Sequence, residues 1–161
     1  MAKPEKTRAG NTMTEAAYKS FIKSGLRTKS RRWPPIFQCL NESKVGKQIN
    51  ALTGRLAMHH RCCDCEGDFP AKNVVVDHKH TVVPMTGFTT WDDVIRRLFV
   101  EKHLLQVMCK PCHHWKTQAE RQLGRECQKD DDLMQHMHDI GDEGILRLVE
   151  ERAKALAEES E

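Results

Sequence analysis

Cys62-Cys63-Asp64-Cys65 and Cys109-Lys110-Pro111-Cys112-His113 decide the fold of this 161-residue chain. Each stretch holds a Cys-x-x-Cys pair, Cys62/Cys65 and Cys109/Cys112. Together the pairs supply four thiolates, the donor set of a tetrahedral zinc ion. The 43 residues between the pairs exceed a minimal zinc ribbon and leave room for a strand, a loop and a helix. A four-thiolate site is closed to water, so its metal is expected to be structural and to staple the two ends of a core. Cys63 competes as a ligand within the first pair. Cys39 and Cys127 have no such partner and read as ordinary small residues. Seven cysteines, an odd number, argue against a disulfide framework and for a reduced, intracellular setting.

Working outward from the knuckles, Val74-Val75-Val76 reads as a short buried strand and Asp77-His78 follows it directly. Val82-Val83-Pro84 is a second strand candidate, ended by its proline. Thr90-Trp91-Asp92-Asp93 opens a helix over 91–102, with Val94, Ile95, Leu98 and Phe99 as its apolar face. Leu104 to Met108 reads as a strand. Pro111 suits the first turn of a helix that stops at Gly124. His113 follows the second knuckle directly, so a metal in the knuckles clamps the base of its helix near Asp77-His78. A carboxylate and an imidazole, Asp77 and His113, suit a divalent ion such as Mg²⁺ or Mn²⁺. His78 has the pKa range needed to take a proton from water.

The flanks differ in charge. Residues 1–61 hold 13 Lys or Arg against 3 Asp or Glu, residues 62–117 hold 7 against 7, and residues 118–161 hold 6 against 13. The net values are +10, 0 and −7. A basic front predicts a polyanionic partner. Residues 1–11 are polar and unpatterned and read as disordered. Thr12-Met13-Thr14-Glu15 has capping-box spacing and predicts a helix from Thr12, with Ala17, Phe21 and Gly25 on one face. Lys19, Lys23, Arg27 and Arg31 recur every four residues as a basic stripe that phosphates would tolerate. Arg31-Arg32-Trp33-Pro34-Pro35 ends this helix. Residues 36–61 read as a linker with short helical pieces and a turn at Thr53-Gly54. Asp130-Asp131-Asp132 caps a short helix through His138. A last amphipathic helix, 142–158, carries Ile145, Leu146, Val149, Ala153 and Leu156 on one face. That face is expected to dock on the chain's own core, with a dimer seam as the other use. No apolar run is long enough to span a membrane, and residues 1–10 lack a secretory h-region.

Val75-Val76-Asp77-His78, Leu105 to His113, Lys116-Thr117 and the paired knuckles resemble the HNH endonuclease family across about residues 61–120. The segments Arg31–Pro35, Thr53–Ala57 and Thr86–Phe88 resemble phage-encoded, homing-type members. The resemblance implies an α+β fold: a small ββα-metal core with a structural four-cysteine zinc site, flanked by N- and C-terminal helices. By position it implies that His78 is the general base and that Asp77 and His113 hold one catalytic metal. It makes Lys116 a phosphate contact, His114 a bystander and Thr117 a weak candidate near the metal. The family's middle Asn falls at Leu104, which cannot make its hydrogen bond, and the neighbouring His103 is the candidate substitute.

The expected organisation is a basic tail (1–11), a basic helical DNA-contacting extension (12–60) using Lys19, Lys23, Arg27, Arg31 and Arg32, a zinc-stapled nuclease core (61–124) and an acidic helical extension (125–161). The expected function is metal-dependent cleavage of double-stranded DNA by a monomer or homodimer, in the bacterial cytoplasm if the chain is phage-encoded. The alternatives are a nucleic-acid-binding module with weakened catalysis on the same scaffold, and a zinc-stapled protein-interaction domain using the acidic helix.

Overall fold

The computed structural model describes residues 3–160. The chain forms two compact units, one ending at Trp33 and one beginning at Pro34. The expected disordered tail falls partly on residues 1 and 2, which lie outside the described residues.

In the first unit, strand β1 (Lys6–Arg8) pairs antiparallel with β2 (Met13–Thr14), so residues 6–8 are ordered rather than a loose tail. Helix α1 spans Glu15–Ser30, two to three residues later than the Thr12 start. Its N-cap is Thr14, whose hydroxyl accepts from the Ala17 backbone N–H at 3.2 Å. Thr12 instead donates to the Ala9 carbonyl, and Glu15 pairs with Arg8 at 2.6 Å, so neither is free to form the capping box. Ala17 and Phe21 are exposed, and the half-buried stripe lies one residue on, at Tyr18, Ile22 and Leu26. The Arg8 guanidinium sits 4.9 Å over the Tyr18 ring, which helps cover that stripe. The helix ends at Ser30, as the Arg-Arg-Trp-Pro-Pro stretch requires.

The second unit is α+β, with two small antiparallel sheets and four helices among the described residues. The region expected to be a linker is structured throughout. Helix α2 (Pro34–Glu42) uses its prolines in the first turn, where no N–H is needed. Strands β3 (Lys44–Ile49), β4 (Leu56–Arg61) and β5 (Asp68–Pro70) form a sheet in that order. The Thr53-Gly54 turn joins β3 to β4, with Gly54 at φ +64°.

Strand β6 (Val74–His78) pairs with β7 (Leu105–Cys109) in the register Val74↔Cys109 to His78↔Leu105. Helix α3 (Trp91–Leu98) lies between them in sequence, capped by Thr90. Val94 and Leu98 are buried, but Ile95 is exposed because it sits off the i, i+4 row they define. Val82-Val83-Pro84 is loop, since β6 has already spent its pairing by His78 and Pro84 offers no N–H.

Helix α4 (Lys110–Cys127) carries Pro111 in its first turn and runs through Gly124. Gly124 does not stop it because Leu123 and Cys127, on either side, are buried against α5. Helix α5 (Asp131–Glu158) starts at the Asp130 cap and breaks at Gly141, φ +62°, which separates the two helices read from the sequence. Met85, Ala119, Leu123, Cys127, Met137 and Val149 form the main core, flanked by Ile145, Ala153 and Leu156. The apolar face of residues 142–158 is therefore docked on α4. No described helix is long and apolar enough to cross a membrane.

Candidate metal centre and the site beside it

Cys62 closes β4, Cys65 follows in the turn before β5, Cys109 ends β7 and Cys112 opens α4. The topology thus delivers two thiols from each end of the core. One sulfur from each of the four lies within 4.8 Å of the others. Cys65 Sγ and Cys109 Sγ are 3.9 Å apart. The edge of a tetrahedron with Zn–S bonds of about 2.3 Å is about 3.8 Å, so the donor set fits a structural metal ion such as zinc.

The electrostatics set how much charge the cluster can hold by itself. Burial raises the Cys62 thiol, but the backbone N–H groups of Cys109, Cys65 and Asp64 outweigh it and hold its pKa below the ordinary value. The Cys109 N–H donates to Cys62 Sγ at 3.2 Å. Burial then pushes Cys109 up to about 11, and the Cys62 charge adds to it. Cys112 is pushed up as well, by burial and by Asp64 and Cys109. Four thiolates cannot share this space without a cation. Cys63 falls outside the cluster, and its thiol donates to Gln106 Oε1 at 3.7 Å. Cys127 is buried in the main core and Cys39 is half-buried.

The clamp brings Asp77 and His113 together. Asp77 Oδ1 lies 3.8 Å from His113 Nε2, a span shorter than two metal–ligand bonds of about 2.1 Å. A single divalent ion can therefore bridge the two. Asp77 is about 20% exposed and His113 about 37%, so the pair opens to solvent.

Lys116 has a different place from the expected phosphate contact. It is 5% exposed. Its ammonium donates to Asp77 Oδ2 at 2.8 Å, to the His78 carbonyl at 3.0 Å and to Glu120 Oε1 at 2.6 Å. Those three bonds use all three of its N–H donors. Burial alone would lower its pKa, but Asp77 and Glu120 outweigh burial and raise it. Lys116 therefore fixes Asp77 by one oxygen and leaves the other facing His113. Glu120 was missed in the sequence, although it stands one helical turn from Lys116, where opposite charges pair.

Asp77 and His78 are neighbours on a strand and point to opposite faces. His78 turns to α3, where its Nε2 donates to the Leu98 carbonyl at 3.0 Å. A carbonyl only accepts, so Nε2 carries the proton and Nδ1 keeps the basic lone pair. His78 also lines a cavity of about 270 Å³ with His80, Arg96, Val100 and Leu104.

The loop between the strands is closed by backbone alone, the Lys79 N–H donating to the Leu104 carbonyl at 2.9 Å. His103 does not make the hydrogen bond that the resemblance to HNH endonucleases led one to expect of it. It is exposed on a short 3-10 turn, Lys102–Leu104, and its side chain has no hydrogen-bond partner among the described residues. The Leu98 carbonyl, a backbone group with no side-chain signature, orients the His78 ring instead. Thr117 donates to the His113 carbonyl at 2.8 Å, and the His114 ring packs edge-on against Trp115.

In the first unit Lys19 and Lys23 are half-buried and Arg27 exposed on α1, and Arg31 and Arg32 are exposed just past its end. No family model, curated protein or solved structure matches this chain.

Proposed function

We propose that this chain is a metal-dependent DNA endonuclease of the HNH type, built on a ββα-metal core formed by β6, β7 and α4 and stapled by zinc on Cys62, Cys65, Cys109 and Cys112. The observation that carries the reading is the approach of Asp77 Oδ1 to His113 Nε2, 3.8 Å, on a helix anchored by the knuckle. A divalent ion of the Mg²⁺ or Mn²⁺ class bound there supplies Lewis-acid charge at the scissile phosphate and the leaving 3′ oxygen.

His78 ends β6, one residue past Asp77. Asp77 and His78 leave the strand on opposite faces, so this reading requires the phosphate to sit at the strand end, between the two side chains. Nδ1 of His78 takes a proton from water, the resulting hydroxide bonds to phosphorus, and the P–O3′ bond breaks with its electron pair on O3′, which takes a proton from solvent to leave a 3′-hydroxyl and a 5′-phosphate. Leu98 holds the imidazole in the required tautomer and Lys116 holds Asp77. The basic face of α1 suits duplex phosphates.

The test is cleavage of a DNA duplex with Mg²⁺ or Mn²⁺, with and without chelator. Asp77→Asn and His113→Ala should each lose activity by at least about 100-fold while keeping the zinc. A second reading, a nucleic-acid-binding module with weakened catalysis, draws on the opposite-face placement of Asp77 and His78 and on Leu104. It predicts that the duplex is bound and left intact.

A further inference from the structure

Strands β3 and β4 form a ribbon that extends past its sheet. Strand β5 pairs only with His59, His60 and Arg61, at the base of β4. Beyond them, from the pair Lys47↔Met58 to Ile49↔Leu56, the ribbon is two strands wide with β3 at an open edge. The three residues of β4 beyond β5, Leu56 to Met58, span about 10 Å at about 3.3 Å per residue, so the two-stranded part of the ribbon extends that far past the sheet.

Its tip is apolar and exposed. Ile49 is 70%, Leu52 81% and Leu56 64% exposed. Ile49 and Leu56 are cross-strand partners, and Lys47 shares their face two residues along. The tip is also closed by hydrogen bonds. Asn50 is 6% exposed. Its N–H donates to the Arg55 carbonyl, its carbonyl accepts from Thr53 and Gly54, and its side-chain oxygen accepts from the Leu52 N–H at 3.0 Å. Leu52 is thus held outward by its backbone.

The ribbon's charge is all of one sign. No Asp or Glu occurs from Lys44 to Arg61. Arg61, at the base, is matched by Asp68 at 2.9 Å. Lys44, Lys47 and Arg55 are exposed and have no carboxylate partner among the described residues.

We infer that the β3–β4 ribbon is a DNA-contacting arm, in which Lys47 and Arg55 engage phosphates while Leu52, with Ile49 and Leu56, inserts against the base stack of a duplex. This deepens the nuclease reading and rests on it. A two-stranded ribbon fits a DNA groove, and aliphatic wedges that part base steps are an established way of gripping a duplex. An apolar protein partner would cover the leucines but leave the unmatched cations without a role.

The experiment uses the zinc-loaded full chain without Mg²⁺ or Mn²⁺ and a short duplex carrying 2-aminopurine, whose fluorescence rises on unstacking. The wild type should bind with a fluorescence rise. Lys47→Gln/Arg55→Gln should reduce the slope of log affinity against log salt by about 1.8, since each phosphate contact contributes about 0.9. Leu52→Ser should keep the salt slope and lose the fluorescence rise. Zinc content and unfolding midpoint are measured on each variant, and all three positions are exposed, so folding is not at stake.

An unchanged salt slope in the double variant overturns the inference. So does a wild-type complex without a fluorescence rise, or ribbon variants that lose only self-association or binding to anionic vesicles. Plasmid cleavage separates the two readings. Ribbon variants that bind and cleave as wild type does sink the arm and spare the nuclease. A wild type that shows both ribbon effects and never cleaves sinks the nuclease and spares the arm.

Discussion

Lys116 Nζ lies 2.8 Å from Asp77 Oδ2, in a pocket that leaves the lysine 5% exposed. This pair ties the first helical turns after the knuckle to the end of β6. It also sets the direction of the carboxylate that faces His113.

Removing that ammonium should be costly. Lys116→Met leaves Asp77 and Glu120 without their shared cation, and losing one member of a buried ion pair costs about 3 kcal/mol or more. Urea unfolding should report a loss of that size. Glu120→Gln, which keeps the Asp77 pair, should cost about 1 kcal/mol. Equal stability of Lys116→Met and wild type would contradict the arrangement.

Metal analysis of the purified chain should give one zinc per molecule. Cys112→Ser and Cys62→Ser should lose it. Because metal binding to such a knuckle contributes on the order of 10 kcal/mol to folding, chelation should collapse the amide-exchange protection of β6, β7 and α4. Retained protection after complete zinc removal would show that the staple is dispensable.

Leu104→Asn should not raise cleavage. The loop is already closed by the Lys79 N–H on the Leu104 carbonyl, and the Leu98 carbonyl already orients His78. A gain of 10-fold or so, on the scale of about 1.4 kcal/mol, would show that the ring lacks a needed support.

Stability should fall in acid partly through Asp93. Its carboxylate accepts from Thr89 at 2.7 Å and from Arg97, and these contacts hold its pKa below the usual carboxylate value. A depressed folded pKa stabilises above the unfolded value, near 3.9, and that stabilisation is lost as pH falls through the folded value. Asp93→Asn should therefore cost about 1 kcal/mol at neutral pH, and the difference from wild type should shrink below about pH 4. A difference that stays constant down to pH 2 or so would refute the linkage.

The four-thiolate cluster and the Asp77/His113 approach were legible because sequence adjacency carries them. Each of these residues sits in or next to a knuckle or at the end of an apolar strand. The β3–β4 ribbon was not legible, since its aliphatics face water and its alternation marks no buried face. Lys116 was misread because its burial depends on Glu120 and on the packing of α4 over β6. Gly124 was misread as a stop because helix–helix burial at Leu123 and Cys127 overrides its low propensity. The group that orients His78 is a backbone carbonyl, which no side-chain pattern announces.

The basic stripe of α1 carries its own expectation. Replacing Lys19, Lys23, Arg27 and Arg31 with Gln should lower the salt slope of DNA binding by up to about 3.6, in addition to the ribbon's share. An unchanged slope would remove α1 from the interface.

The central claim is tested most directly by converting supercoiled plasmid with Mn²⁺, comparing wild type with His78→Ala at matched zinc content. General-base catalysis is worth about 100-fold to 10,000-fold, so the wild type should cut and His78→Ala should fall by at least about 100-fold. Equal rates, or no cleavage by either protein at high enzyme concentration, would contradict it.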